Sequence, residues 1–317
     1  MEYGHRSVLA REAVDGLAIK PDGTYMDGTL GRGGHAKLIC AQLGASGTLL
    51  GIDLDADAIR DSTARLSEYG CRKVFARGNF ADVRQIMDDC GIDALDGAIL
   101  DLGVSSPQLD DPARGFSYMQ DGPLDMRMGS GNESAAGDAL TAYAVVNKYS
   151  ENELTRIIRS YGEERWASRI AGFIVRARSR QPITGTLELA EIIKSAIPAA
   201  ARREGPQPAK RTFQAIRIEV NGELDSLRRG MEEIIDALAV GGRLAVITFH
   251  SLEDRIVKEA FRRRENPCTC PPGIPECVCG NIADIRRITK KPIVPQEDEV
   301  DGNPRSRSAK LRIGEKI

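Results

Sequence analysis

No apolar run in these 317 residues reaches the length of a membrane span, which excludes a chain threaded through a bilayer by helices. The opening Met-Glu-Tyr-Gly-His-Arg lacks the charged-then-apolar layout of a signal peptide, so a cytoplasmic protein is expected. Internal repeats and low-complexity tracts are missing too, which argues against a solenoid or a linker-like chain. Cysteine is sparse: the seven present are expected as thiols or metal ligands in a reducing compartment rather than as a disulfide framework. Net charge is also nearly absent at −2, but this balance conceals an asymmetry. Residues 80–153 hold fourteen Asp and Glu against four Lys and Arg, whereas 156–217 hold thirteen basic residues against five acidic ones. A nucleic-acid partner is therefore not excluded, because local clustering sets the electrostatic footprint.

The composition present, 41% hydrophobic and 28% charged, suffices for one sizeable core and a smaller second unit. The most informative stretch is Asp27-Gly-Thr-Leu-Gly-Arg-Gly-Gly-His35. Thr24-Tyr-Met26 before it reads as a strand ending at Asp27. Gly28, Gly31, Gly33 and Gly34 then permit positive φ and let a ligand approach the backbone. A helix is expected over His35 to Leu43, leaving backbone amides at the loop's far edge. Thr48 to Ile52 reads as the next strand, and Asp53 at its end is placed to accept the two hydroxyls of a ribose. An adenosine-bearing cofactor is thus expected. Gly31-Arg-Gly33-Gly-His-Ala36 satisfies the permissive dinucleotide fingerprint, so NAD stays open. Asp27 and three further positions nevertheless intervene between strand and fingerprint. An anionic Asp27 suits the ammonium or sulfonium of S-adenosylmethionine and would repel a pyrophosphate.

Strands are expected near 24 to 27, 48 to 53, 73 to 76 and 97 to 102, with helices between them, which implies a parallel sheet. After Pro107 the pattern lapses into turn signals, and helical periodicity dominates from about 138 to 200. Strand and helix signals return with a helix over Gly222 to Leu238 and a strand over Arg243 to Phe249. The economical reading is an α/β domain, residues 1–109 and 210–317, interrupted by an inserted helical substrate-recognition domain over 110–209. In the insertion Leu154, Ile157, Ile158, Tyr161, Trp166, Ile170, Phe173 and Ile174 recur at core spacing, with base stacking the alternative for Trp166. Arg165, Arg169, Arg176 and Arg180 share about 60° of arc if their helix is regular, as a solvated face or an RNA-binding one.

At the end of the fourth strand stands Asp101-Leu-Gly-Val-Ser-Ser-Pro-Gln108. Ligands of open parallel sheets bind outside the carboxyl ends of the strands, so this segment is expected at the same crevice as the glycine loop. It resembles the Asp-Pro-Pro-aromatic segment of methyltransferases acting on adenine N6 or cytosine N4, with inserted residues and no terminal aromatic. Phe80 after the third strand is a candidate to lie beside a cofactor adenine, or plain core.

The chain as a whole resembles the bacterial 16S ribosomal RNA cytosine-N4 methyltransferase family. The resemblance runs through Asp27 to His35, Leu100 to Leu109, Asp121-Gly-Pro-Leu-Asp-Met-Arg-Met128, Tyr161-Gly-Glu-Glu-Arg165, Arg211-Thr-Phe-Gln-Ala215, Phe249-His-Ser-Leu-Glu-Asp-Arg255 and Asn303-Pro-Arg305. It implies a class I methyltransferase (Rossmann-like) fold with an inserted helical domain and an antiparallel hairpin from 286–289 and 309–313. It also implies S-adenosylmethionine contacts at Gly33, Gly34, His35, Asp53, Phe80, Asp101 and Gln108, and a cytidine of the small-subunit decoding region as substrate.

A cytosine amine is a poor nucleophile because its lone pair is delocalised into the ring. Acceptors for its protons help it pyramidalise, and alignment with a donor methyl can contribute about 7–11 kcal/mol. Asp101, with Ser105 or Ser106 and a carbonyl beside Pro107, are the candidate acceptors. His250 and Ser251 follow the strand Arg243 to Phe249 and are candidates for substrate contact, the alternative being helix capping with Ser251 as N-cap and Glu253-Asp254 favouring the helix start. Asn303, Arg305 and Arg307 are candidates to grip RNA phosphate or merely to solvate a loop. Cys268-Thr-Cys270 and Cys277-Val-Cys279 form a four-thiol cluster suited to structural zinc, with free thiols as the alternative. A non-catalytic RNA-binding assembly factor is the third functional class.

Overall fold

The structure, a computed structural model, describes residues 7–129, 139–203, 207–271, 276 and 278–317. Within these bounds the chain forms two compact units. The first combines residues up to Gly103 with Leu224–Ile317, and the second is Val104–Glu223. The division falls outside the limits of 110 and 209 read from sequence. Residues 104–109 and the helix Lys210–Asn221 belong with the second unit, because Phe213 and Ile216 of that helix are buried in its apolar core.

The first unit is built on a seven-stranded sheet. Its strands are β1 Thr24–Asp27, β2 Thr48–Asp53, β3 Arg72–Arg77, β4 Leu95–Asp101, β5 Leu238–Thr248, β6 Ile285–Arg287 and β7 Lys310–Lys316, in the order β3-β2-β1-β4-β5-β7-β6. β1 to β5 pair in parallel, while β7 runs antiparallel to both β5 and β6. This is the class I methyltransferase, Rossmann-like arrangement, hairpin included. The chain order reverses direction beside β1, between β1 and β4, which creates the topological switch point where such sheets bind ligands.

Period-two alternation sends successive side chains to opposite faces. Met26, Leu50, Ala98, Leu100, Leu244 and Val246 enter one core with the helices Val83–Cys90, Glu223–Ala237 and Ser251–Glu265. Tyr25, Leu49, Ile99, Ala245, Ile247 and Leu311 enter the other with Ala10–Gly16 and Gly34–Cys40. β5 begins at Leu238, earlier than the expected Arg243. A register shift opposite Leu95 and Gly97 absorbs Gly241, whose φ of +84° a glycine tolerates. Cys40 and Cys71 are buried beneath this sheet; burial and the neighbouring Cys71 thiol push Cys40 up to about 12, so it is an inert packing residue.

The second unit is helical. Glu151–Gly162, Ala167–Arg178, Thr186–Ala196 and Lys210–Asn221 bury Leu154, Ile157, Ile158, Ile170, Ile174, Leu189 and Ile193 in one core, with Trp166 and Phe173 packed at its margin. Ser150 starts the first of these helices with a reciprocal capping box to Glu153. Among the described residues no helix is long and apolar enough to cross a membrane.

Candidate active site

The glycine turn after β1 is tied to both neighbouring strands by three hydrogen bonds. Gly28 N–H donates to the Ile99 carbonyl of β4 at 3.0 Å, and Leu30 N–H donates to the Ile52 carbonyl of β2 at 2.9 Å. The third, again from β4, is the Asp101 N–H donated to the Thr29 hydroxyl at 2.7 Å. Gly33 sits at φ +73° and caps the helix Gly34–Cys40, and a Cβ there would lie 3.0 Å from Ser62 Oγ. Both conditions favour glycine. Ser62 in turn donates to the Gly31 carbonyl at 2.9 Å, fixing the far side of the turn.

Asp53 ends β2 with its carboxylate facing this turn. One oxygen accepts Gly31 N–H at 2.7 Å and the other accepts Asp55 N–H at 2.8 Å. Lone pairs remain on both oxygens for further hydroxyl donors. Burial is the leading cause that raises its pKa, and these amides act in the opposite direction.

Asp27, at 2% exposure, accepts Thr29 N–H at 3.2 Å. Burial, with a contribution from the charge of Asp53, pushes its carboxyl up to about 7. Asp101 is pushed higher, to about 8, first by burial and then by the charges of Asp27 and Glu253. Its side chain as a whole is 26% exposed, yet its Oδ1 atom is shielded and has no hydrogen-bond partner. A buried acceptor without a donor is costly and marks a place where a ligand belongs. His35 Nε2 lies 3.1 Å from the Val8 carbonyl, which assigns that nitrogen its proton, and Nδ1 faces Asp101 Oδ2 at 3.6 Å. The described part of the site is thus a ring of carboxylates at the carboxyl ends of β1, β2 and β4. A cation placed there relieves their mutual repulsion.

The remaining expected site residues fall in several places. Phe80 opens a short 3-10 turn, and its ring seats against Gly230 of the helix Glu223–Ala237, where a Cβ would come within 2.5 Å of the ring. Its Cβ also lies beside Gly28, so packing and proximity to the turn coexist. His250 follows β5 and is itself the N-cap of Ser251–Glu265, one residue earlier than the Ser251 cap expected. Glu253 closes the box by accepting Phe249 N–H at 2.8 Å and His250 N–H at 3.2 Å. Asn303 and Arg305 lie in the turn before β7, where the Asn303 carbonyl accepts Ser306 N–H at 2.9 Å. Because β7 is antiparallel and Lys310 pairs with Thr248, this turn lies at the same sheet edge as the carboxylates.

Ser105, Ser106, Pro107 and Gln108 belong to the second unit, just past its boundary. Ser105 N-caps Ser106–Asp110 in a reciprocal box: its N–H donates to Gln108 Oε1 at 2.9 Å, and Pro107 occupies the first turn. Gln108 Nε2 donates to the Met128 carbonyl at 2.9 Å. Within the second unit, Arg165 and Arg180 fall outside the helix Ala167–Arg178, so the four-arginine stripe is interrupted and Arg169 and Arg176 flank Phe173 instead. Arg165 lies over the Trp166 ring at 5.2 Å and, with Arg202 and Arg211, lines a cavity of about 250 Å³. Cys277 lies outside the described residues.

Thr29 and Ser62 were not singled out from sequence. Glu253, expected with Asp254 to favour the helix start, does so by closing the His250 box.

Ribosomal RNA small subunit methyltransferase H 2 of Agathobacter rectalis is 55% identical over 317 residues, covering 100% of this chain and 99% of the relative. Ribosomal RNA small subunit methyltransferase H of Lachnospira eligens is 54% identical over 317 residues, with coverage of 100% and 99%. A solved rRNA methylase from Streptococcus thermophilus superposes with a TM-score of 0.42 at 11% identity, covering 99% of each chain. The sequence profile of the MraW methylase family matches residues 2–317, and with relatives this similar along its whole length the chain belongs to that family.

Proposed function

We propose that the protein transfers a methyl group from S-adenosylmethionine to the N4 amine of a cytidine in the decoding region of small-subunit (16S) ribosomal RNA. The observation that carries this reading is Asp101, a shielded carboxylate with an unpartnered oxygen, held against the glycine turn through Thr29. The relatives' names supply the substrate class, and the resemblance in the Asp101 to Gln108 segment supplies the amine.

Asp27, Gly31, Gly33, Gly34, His35 and Asp53 form the donor's cradle, with Asp53 accepting the ribose hydroxyls. The sulfonium draws ionised carboxylates to its side. A nicotinamide dinucleotide fits less well, since its pyrophosphate would face Asp27, Asp53 and Asp101. The donor, when bound, supplies the electrophilic methyl. Asp101 would accept a proton of the cytosine amine as the nitrogen pyramidalises, the methyl passing from the sulfonium to N4 and the electron pair of the broken S–CH₃ bond staying on a neutral thioether. Ser105, Ser106 and the carbonyl beside Pro107 follow Asp101 in the chain and are the further candidate acceptors, with Gln108 shaping their turn. Arg165 and Arg169 of the second unit, and Asn303 and Arg305 of the first, contribute phosphate contacts, while His250 and Ser251 line the carboxyl edge.

Incubation with labelled S-adenosylmethionine and small subunits lacking the modification, followed by mass spectrometry of the nucleosides, tests the proposal. Labelled N4-methylcytidine is the expected product. Label on another atom or base, or no transfer, as a non-catalytic assembly factor would give, overturns it.

A further inference from the structure

The segment between the helix Ser251–Glu265 and β6 has no part in the proposed methyl transfer, yet it brings three thiols together among the described residues. The Sγ atoms of Cys268, Cys270 and Cys279 all lie within 4.8 Å of one another. Those of Cys268 and Cys279 are 3.9 Å apart. Two sulfurs each bonded to zinc at about 2.3 Å, and subtending a tetrahedral angle, stand about 3.8 Å from each other. A disulfide would bring them to about 2.05 Å. The observed separation therefore matches two ligands of one tetrahedral ion.

The surroundings fit the same role. Val278 N–H donates to Cys270 Sγ at 3.4 Å, the kind of outer contact that stabilises a ligating thiolate. The limbs of the segment are fastened at their base: Asn281 Nδ2 donates to the Pro267 carbonyl at 3.0 Å, and Asp284 N–H donates to the Arg264 carbonyl at 3.3 Å. Among the described residues here, Val278 and Ile282 are 78% and 86% exposed, so these two apolar side chains do nothing to bury the segment. A covalent-strength cross-link is how small, coreless segments keep one conformation.

We infer that Cys268, Cys270 and Cys279 form a structural zinc site that staples the connection into the β6–β7 hairpin. Thiolate donors select soft or borderline ions over magnesium or calcium, and zinc adds no redox chemistry to a segment away from the carboxylate ring. Binding deprotonates the thiols and releases protons, so the affinity rises with pH. The inference does not depend on the proposed methyl transfer.

The full-length protein, purified without chelator or added metal, tests it by elemental analysis for zinc, iron and copper. About one zinc per chain is expected, falling below about a tenth in Cys268→Ser, Cys270→Ser and Cys279→Ser but not in Cys90→Ser. Since a serine variant could lose metal by misfolding, the unaltered protein exchanged with Co²⁺ gives an independent reading. It should show thiolate-to-cobalt charge-transfer absorption with tetrahedral d–d bands. Absence of zinc together with absence of that spectrum, iron or copper in its place, or a Cys268–Cys279 disulfide in mass spectra of protein purified under reducing conditions, overturns the inference.

Discussion

The backbone amide of Asp101 and the hydroxyl of Thr29 are joined by a 2.7 Å hydrogen bond that spans 72 residues and locks the tip of β4 to the glycine turn after β1. Thr29→Val keeps the shape and removes the acceptor, leaving the amide without its partner at a cost of about 1–3 kcal/mol. The expected result is a lower melting temperature and weaker cofactor binding by calorimetry. Unchanged values in both would show that the tie does not organise the site.

Asp101→Asn separates a proton-accepting role from simple cofactor attraction. With S-adenosylmethionine saturating, kcat should fall by about a hundredfold or more, the lower range for loss of a positioned proton acceptor. A rise in KM with kcat preserved would restrict Asp101 to holding the donor.

The carboxylate ring predicts an unusual response to pH. Asp27 near 7 and Asp101 near 8 both exceed the ordinary 3.8, so the folded chain without cofactor holds protons that the unfolded chain has released. Its stability therefore falls as pH rises from about 4 to about 8 and levels off above that. Binding of the sulfonium favours the ionised forms and expels protons. The ratio of S-adenosylmethionine affinity to that of the neutral S-adenosylhomocysteine should then climb by about tenfold per pH unit for each proton expelled below pH 7, as measured by calorimetry. A ratio independent of pH between 6 and 8 would contradict the placement of the charge.

Gly33→Ala is expected to weaken cofactor binding beyond its effect on folding. Gly91 provides the control, because it has a similar φ of +65° but open space around its Cβ position, against the 3.0 Å approach to Ser62 at Gly33. Both alanines carry a left-handed strain of about 1–2 kcal/mol. Comparable melting shifts with loss of binding only in Gly33→Ala support the turn as the cradle, and equal binding in both would oppose it.

How much of this could be read in the sequence follows from the range of each interaction. The glycine turn, Asp53 and Asp101 were legible because strand alternation fixes where β1, β2 and β4 end, and parallel order brings those ends together. Thr29 and Ser62 were not, since each bonds a backbone partner far away in the chain that no local pattern encodes. The helix Lys210–Asn221 shows the limit of periodicity. Its apolar face was visible, but nothing in the spacing of Phe213 and Ile216 told which core would receive it. Ser105 and Gln108 show the converse: their capping-box spacing was present in the sequence, and was read there as chemistry rather than as helix initiation.

The basic surface of the second unit predicts salt-dependent RNA binding. Arg165→Ala or Arg169→Ala should weaken binding to small-subunit RNA and reduce the slope of log affinity against log salt by about one. An unchanged slope in both would remove these arginines from the phosphate contacts.

The most direct test of the central claim is a crystal structure with S-adenosylhomocysteine bound. The ribose hydroxyls should lie on Asp53, the turn from Gly31 to Gly34 against the ligand, and the sulfur within about 4–6 Å of the Asp101 or Asp27 carboxylate. A ligand lodged away from the ends of β1, β2 and β4, or with Asp53 and Asp101 on no part of it, would contradict it.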